Sequence, residues 1–167
     1  MDLGCYALHA QRALAPWGGG EPAVVAARAG ERPGEPGVDE WLEARLRFPS
    51  GATGVARCHM ASDRRQMTYR VVGSRGEAAV ANFVKPHLDD RLVIGTPGGR
   101  HVERHGTRSS YTYQLEAFVR AVRGGTPLPV DVDDAVRNMR LVDACYAAAG
   151  LGPRPRLRTT DRPAVPG

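Results

Sequence analysis

Asp2 and Tyr6 stand four residues apart in the stretch Asp-Leu-Gly-Cys-Tyr-Ala-Leu-His, whose pattern is that of a helix start. At that spacing two helical side chains share one face, about one turn from each other. A carboxylate beside a phenol suits the removal of a proton from a hydroxyl. The phenol donates or accepts, and the carboxylate orients the phenol or the substrate. The pKa sets a condition, because a free tyrosine titrates near ~10 and is a poor base at neutral pH. Only a neighbouring cation makes the phenolate accessible, and the carboxylate pushes the opposite way. A lysine or a cofactor charge from elsewhere is required. On spacing alone, Asp2 reads as a helix cap and Tyr6 as a core aromatic, ahead of the catalytic reading.

Weaker candidates are spread along the chain. Lys85 and His87 flank Pro86 and are placed to approach an anionic group, although such residues also anchor loops. His9 follows Tyr6 by three and either lines the same face or packs as a satisfied histidine. Tyr111, Tyr113 and Gln114 precede a helical stretch, where they reach a polyol or serve as core and capping residues. Gly18-Gly-Gly20 and Gly98-Gly99 are not phosphate cradles, since neither lies between a hydrophobic strand and a helix. Cys5, Cys58 and Cys145 are odd in number, far apart and without a Cys-x-x-Cys pair. No metal site or redox pair is expected from them, only the reduced thiols of a cytoplasmic protein.

The elements that must position these residues follow from periodicity. Residues 2–14 predict a short amphipathic helix, capped by Asp2 and ended by Pro16. Residues 23–28 are a compact β-type run. In residues 40–48, Trp41, Glu43, Arg45 and Arg47 alternate with Leu42, Ala44, Leu46 and Phe48, as in a strand with one buried face. Pro49-Ser-Gly51 turns the chain into its hairpin partner, 52–60. Residues 67–72 and 77–83 predict a second hairpin around Gly73-Ser-Arg-Gly76, and 91–96 with 101–104 a third. The period then changes. Residues 113–123 place Leu115, Phe118, Val119 and Val122 at helical spacing before Gly124-Gly125, and 133–149 repeat the pattern with Ala135, Met139, Val142 and Tyr146. Such segregation predicts an α+β fold: a largely antiparallel open sheet of about six strands with helices packed on one face. The other face is expected to be polar or covered by a partner, and Trp41 on it hints at sheet-to-sheet association.

Bulk properties fit that picture. The 167 residues suit one domain, and 42% hydrophobic with 25% charged residues is a globular composition. The formal charge of +5 raises the question of nucleic acid, but Lys85 is the only lysine, and arginines such as Arg12, Arg28, Arg45, Arg47, Arg64, Arg65 and Arg70 are scattered without interleaved aromatics. A solvated arginine-rich surface is expected, not a nucleic-acid platform. No signal pattern and no bilayer-length apolar run occur, so a soluble cytoplasmic protein is expected, with no membrane partner.

Asp2-Leu-Gly-Cys-Tyr-Ala-Leu-His resembles the motif that opens the C-terminal domain of the Gfo/Idh/MocA family, which includes glucose–fructose oxidoreductase, inositol dehydrogenases and dimeric dihydrodiol dehydrogenase. The resemblance continues through VDEWLEARLRFPSGATG, VVGSRGEAAVANFVKPH, YTYQLEAFVRAVRGGTPLP and DDAVRNMRLVDACYAAAG. It covers roughly 2–152 in family order, leaving a Pro- and Arg-rich tail over 153–167. The resemblance implies that Asp2 binds and orients the substrate hydroxyl and that Tyr6 is its proton donor or acceptor. Lys85 and His87 fall in a segment similar to a family loop and, with Tyr113, are the implied substrate-binding residues. The implied activity is NAD(P)-dependent oxidation of a secondary alcohol on a sugar, cyclitol or diol. The implied cofactor, NAD or NADP, belongs to an N-terminal Rossmann domain that carries the Gly-x-Gly-x-x-Gly turn and the lysine of a Glu-Lys-Pro motif. This chain has no Gly-x-Gly-x-x-Gly, and Lys85 sits in Val-Lys-Pro. It is thus expected to bind no cofactor alone, to be inactive without a Rossmann domain, and to be either a specialised fragment or a truncated reading frame. A homo-oligomer formed through the open sheet face is implied, as is a possible separate Rossmann partner. The alternative is a non-catalytic dimerising or sugar-binding module.

Overall fold

The computed structural model describes residues 2–152, which fall into two compact units: 2–61 with 137–152, and 62–136. The predicted tail over 153–167 lies outside the described residues. In the first unit, helix α1 (Gly4–Arg12) leads into a one-turn helix α2 (Ala15–Gly18), followed by strands β1 (Ala23–Glu31), β2 (Asp39–Arg47) and β3 (Thr53–His59). The three strands form an antiparallel sheet in that order. The second unit holds β4 (Tyr69–Gly73), β5 (Gly76–Val80), a 3-10 turn (Pro86–Leu88), β6 (Arg91–Thr96), β7 (Gly99–Arg104) and helix α3 (Ser110–Gly124). Its four strands pair antiparallel in chain order. Helix α4 (Val132–Ala148) begins in the second unit, and its residues from Arg137 onward belong to the first.

The expected α+β class and antiparallel pairing are what the chain adopts, with the strands divided three and four. The hairpin ladder stops after His59, where Ser62 and Arg64 bond to each other locally: Arg64 N–H donates to Ser62 Oγ at 3.2 Å, and that hydroxyl donates to the Arg64 carbonyl at 3.1 Å. Short polar side chains that satisfy nearby backbone in this way compete with a ladder. The alternation in β2 sorts as predicted: Leu42, Ala44 and Leu46 are buried, while Arg45 and Arg47 are exposed. The buried side meets Leu8 of α1, Ala56 of β3, and Leu141, Val142, Cys145 and Tyr146 of α4, so both helices cover one face of the first sheet.

Several local expectations need correction. Asp2 does not cap α1; Leu3 occupies that position in helical conformation, without a side-chain cap. Pro16 does not end α1, which closes at Arg12. It opens α2, where a missing N–H costs nothing. The strand predicted over 77–83 ends at Val80, because the Asn82 side chain accepts from Lys85 N–H at 2.8 Å and starts the 3-10 turn. Helix α3 begins at Ser110, not residue 113, since the Ser109 hydroxyl caps it by accepting from Tyr111 N–H. Trp41, partly exposed, also packs against Gly30, its cross-strand partner, where a Cβ would stand 2.2 Å from the indole nitrogen.

Candidate functional site

Helix α1 is pinned along one side. Leu8, with 0% exposure, enters the core. Gln11 donates to the Val55 carbonyl at 3.3 Å and packs against Gly54, where a Cβ would sit 2.2 Å from the amide oxygen. The buried Arg12 guanidinium grips both carboxylate oxygens of Glu21, at 2.9 and 2.8 Å. The start of the helix is fixed separately. Asn138 of α4 donates to the Cys5 carbonyl at 3.2 Å, and the Cys5 thiol donates to the Asp2 carbonyl at 3.0 Å. With Gly4, Leu8, Gln11 and Arg12 facing inward, Asp2 and Tyr6 are left exposed, Tyr6 at 48%. Tyr6 is thus not the core aromatic that spacing alone allowed. His9 is half-buried.

Sequence reasoning missed a part-buried polar pair of this unit. Tyr146 OH donates to Asp39 Oδ1 at 2.7 Å, joining α4 to the start of β2. Burial pushes the Asp39 carboxyl up, but hydrogen bonds, that from Tyr146 foremost, outweigh it and hold the group below its ordinary value. Tyr146 was legible only as one residue of an apolar helical face.

The other candidates belong to the second unit. Lys85 is exposed at the entry to the 3-10 turn. His87 lies within that turn, its Nδ1 buried and without a hydrogen-bond partner among the described residues. Tyr113 is in the first turn of α3, and the Arg108 guanidinium stacks over its ring at 4.7 Å while pairing with Glu116. Asp2 and Tyr6 therefore lie in one unit, and Lys85, His87 and Tyr113 in the other.

Pro86, between the two candidate cations, lines a cavity of about 270 Å³ that neither Lys85 nor His87 lines. Val80 and Leu92, paired across β5 and β6, contribute to its apolar lining with Phe83 and Pro86; Asn82, Asp89, Asp90, Arg91, His105 and Gly106 complete it. Arg91 holds Asp89 in a forked pair at 2.7 and 2.5 Å and drives that carboxyl down to about 2. Asp90, with its side chain 9% exposed, accepts from Gly106 N–H at 2.9 Å and from Arg104 at 2.8 Å, and is likewise lowered. The pattern Asn-Phe…Asp-Asp-Arg was in the sequence, but only the β5–β6 pairing brings its two ends together.

Residues 1–152 match the family model described as the oxidoreductase family, C-terminal alpha/beta domain. The chain belongs to the Gfo/Idh/MocA oxidoreductase family. It is 34% identical over 155 residues to the D-xylose 1-dehydrogenase (NADP(+)) 2 of Haloferax volcanii, covering 91% of this chain and 46% of that protein. An uncharacterized oxidoreductase of Rhizobium meliloti is 28% identical, with 90% and 46% covered. Among solved structures, the aldose-aldose oxidoreductase of Caulobacter crescentus in complex with glycerol superposes with a TM-score of 0.76 at 24% identity, over 88% of this chain and 44% of that one. A 3-ketoreductase of Actinomadura kijaniata bound to NADP and TDP-benzene gives 0.75 at 22% identity, over 88% and 46%. This Gfo/Idh/MocA chain spans about half the length of the relatives it matches. Among its described residues the named strands pair antiparallel, and no glycine-rich turn joins a parallel strand to a helix N-terminus as in a Rossmann phosphate site. No helix among them is long and apolar enough to cross a membrane.

Proposed function

We propose that this chain is the substrate-binding and oligomerisation domain of an NAD(P)-dependent oxidoreductase acting on a secondary alcohol of a sugar, cyclitol or diol. The observation that carries the reading is α1 itself. Its inward side is fixed by Leu8, Gln11, Arg12 and the Asn138 bond, while Tyr6 stands open on the helix and Asp2 stands open in the turn that precedes it. Asp2 orients the reacting hydroxyl, and the Tyr6 phenol exchanges its proton. NAD or NADP supplies the hydride chemistry and is held by a Rossmann domain outside these residues, on the same polypeptide or a separate one, so the isolated domain turns nothing over. That the curated relative is a D-xylose dehydrogenase using NADP supports a sugar as substrate. Lys85, His87 and Tyr113 are assigned to the substrate surface of the second unit, with Tyr113 acting through the stacked Arg108. The outer face of the first sheet, where Glu43 bridges Arg28 at 3.1 Å and Arg57 at 2.7 Å, is the proposed subunit contact.

The test starts from the protein as its native host makes it. Its intact mass shows whether a second domain is attached, and turnover is then assayed with D-xylose and NADP, any separate Rossmann partner being added. Tyr6→Phe and Asp2→Asn are expected to lower kcat by ~10²–10⁴, the ordinary weight of positioned acid–base groups. Their melting temperatures should stay within a degree of wild type. A Tyr6→Phe enzyme with turnover within threefold of wild type refutes the assignment.

A further inference from the structure

The structure assigns a modification site to this protein: Cys5 and Cys58 are a peroxide-sensitive dithiol that closes into a reversible disulfide between α1 and β3. In the sequence the three cysteines are far apart and suggest no redox pair, yet all three come to the inward side of the first sheet. Cys145 of α4 is completely enclosed in the core, Cys58 of β3 packs against that core, and Cys5 stands in the first turn of α1. The way α1 lies along β3 carries Cys5 toward Cys58. Gln11 donates to the Val55 carbonyl and rests on Gly54, while Leu8 shares the core with Ala56. From Gln11 back to Cys5 is about 9 Å of helix. From Val55 on to Cys58 is about 10 Å of strand, so the two strides match. Cys5 also precedes Leu8 by three residues and Arg12 by seven, which places it on their buried side of the helix. Electrostatics agree with this placement. Burial foremost pushes the Cys58 thiol up, with Asp39 and Cys5 adding to it, and burial and then Cys58 push Cys145 up to about 11.

Access decides the order of attack. Cys145 is sealed from solvent, and burial disfavours the thiolate at Cys58, which leaves half-buried Cys5 as the first sulfur to react. The Cys5 thiolate attacks one peroxide oxygen and the O–O bond breaks, so the sulfur is oxidised to a sulfenic acid and the peroxide is reduced to hydroxide, which takes up the thiol proton as water. The Cys58 sulfur then attacks the Cys5 sulfur, the S–S bond forms and the S–O bond breaks, and the Cys58 proton leaves with the hydroxide as a second water. A dithiol reductant reverses the sum. In the reduced protein the Cys5 thiol donates to the Asp2 carbonyl at 3.0 Å, and a disulfide has no hydrogen left for that bond. The sulfurs must also close to about 2.05 Å. The first turn of α1, which no side chain caps, is drawn onto β3 and takes Tyr6 with it.

The disulfide forms or fails whatever Tyr6 and Asp2 do in turnover, so its test is covalent. The 167-residue chain is treated with hydrogen peroxide, its remaining thiols are alkylated, and it is digested with trypsin without reduction. Cleavage after Arg12 and Arg57 leaves Cys5 and Cys58 on separate peptides, so a bridge between them appears as one linked species. That species is expected as the main oxidation product, with Cys145 reduced, and dithiothreitol should remove it. Closing the loop should raise the melting temperature of the first unit, read by tryptophan fluorescence, by about 4 °C or more. Cys5→Ser should abolish the linked species and leave Cys58 reduced. The wild-type digest decides the matter without any variant having to fold. A Cys5 sulfinic acid on an unlinked peptide, a bridge that includes Cys145, a bridge between two chains only, or no oxidation at either cysteine overturns the assignment.

Discussion

Replacing Tyr146 by phenylalanine removes one hydroxyl from the interior and leaves the ring in place, so it isolates a single hydrogen bond. In the wild type, that hydroxyl sits 2.7 Å from Asp39 Oδ1, and the tyrosine is 3% exposed. A hydrogen bond to an ionised partner contributes about 1.5–3 kcal/mol. Asp39 is only half-buried and has further interactions, so solvent and those partners compensate in part, and a loss of about 1–2 kcal/mol is expected. In a protein of this size each kcal/mol moves the melting temperature by about 2–4 °C, giving a drop of about 2–8 °C. The two tryptophans, Trp17 and Trp41, both belong to the unit that holds Tyr146, so fluorescence during urea unfolding reads that unit alone. With an m-value of about 1–3 kcal/mol/M, the midpoint should fall by roughly 0.3–2 M at unchanged slope.

The pH dependence supplies the stricter test. The folded Asp39 carboxyl lies below its ordinary value of 3.8, so the stability it contributes is present above that value and is lost as pH falls through the folded pKa. The gap between wild type and Tyr146→Phe should therefore be full at pH 7. Below pH 3.8 it should shrink toward about 1 kcal/mol or less, the scale of a bond between neutral groups. A gap under about 0.5 kcal/mol at pH 7, or one equally large at pH 7 and pH 3, would refute the role given to this bond.

Leu8→Ala should cost about 2–5 kcal/mol by the same fluorescence assay, because this leucine is completely enclosed between helix and sheet; a loss below about 1 kcal/mol would mean α1 is not anchored as described. Burial pushes the Cys145 thiol up to about 11, so a disulfide reagent at pH 8 should leave it unmodified in the folded protein and label it only on unfolding; mass spectrometry after brief labelling decides. Gly76→Ala should open the second sheet, since φ there is +146° and a Cβ would lie 2.1 Å from the Gly95 carbonyl oxygen. Amides of β5 and β6 should then exchange at least tenfold faster, and unchanged exchange would contradict the close approach of these strands.

Periodicity sufficed wherever one face of an element meets the core. The β2 alternation and the Leu141, Val142, Cys145 and Tyr146 face of α4 are encoded by spacing, because burial selects side-chain size at a fixed period. Element ends are set instead by single side chains acting on nearby backbone. Asn82 shortens β5, and Ser109 starts α3 early, and neither has a periodic signature. The candidate site divides along the same line. Asp2 and Tyr6 are local, four residues apart, and were legible as a pair; that both stand open depends on Gln11, Arg12 and Asn138, partners 9 to 133 positions away from the residues they hold. The cavity needs Asp90 to meet Gly106 across a strand pairing, a relation that no local pattern states.

The two units differ in one respect that bears on function. All the buried apolar residues that pack into a core lie in the first unit, whereas among the described residues 62–136 none is buried. Yet the second unit is well formed: α3 is capped by Ser109 and closed by Gly125 in left-handed conformation. Its stripe of Leu115, Phe118, Val119 and Val122 is exposed throughout, and an isolated helix of 15 residues is marginal in water. Selection for solubility alone would favour polar residues at those positions. Under the proposed reading the stripe is left for a further part of the enzyme to cover, since this chain spans 46% of its D-xylose dehydrogenase relative. On that reading α3 is encoded in this chain and gains further stability from what it docks.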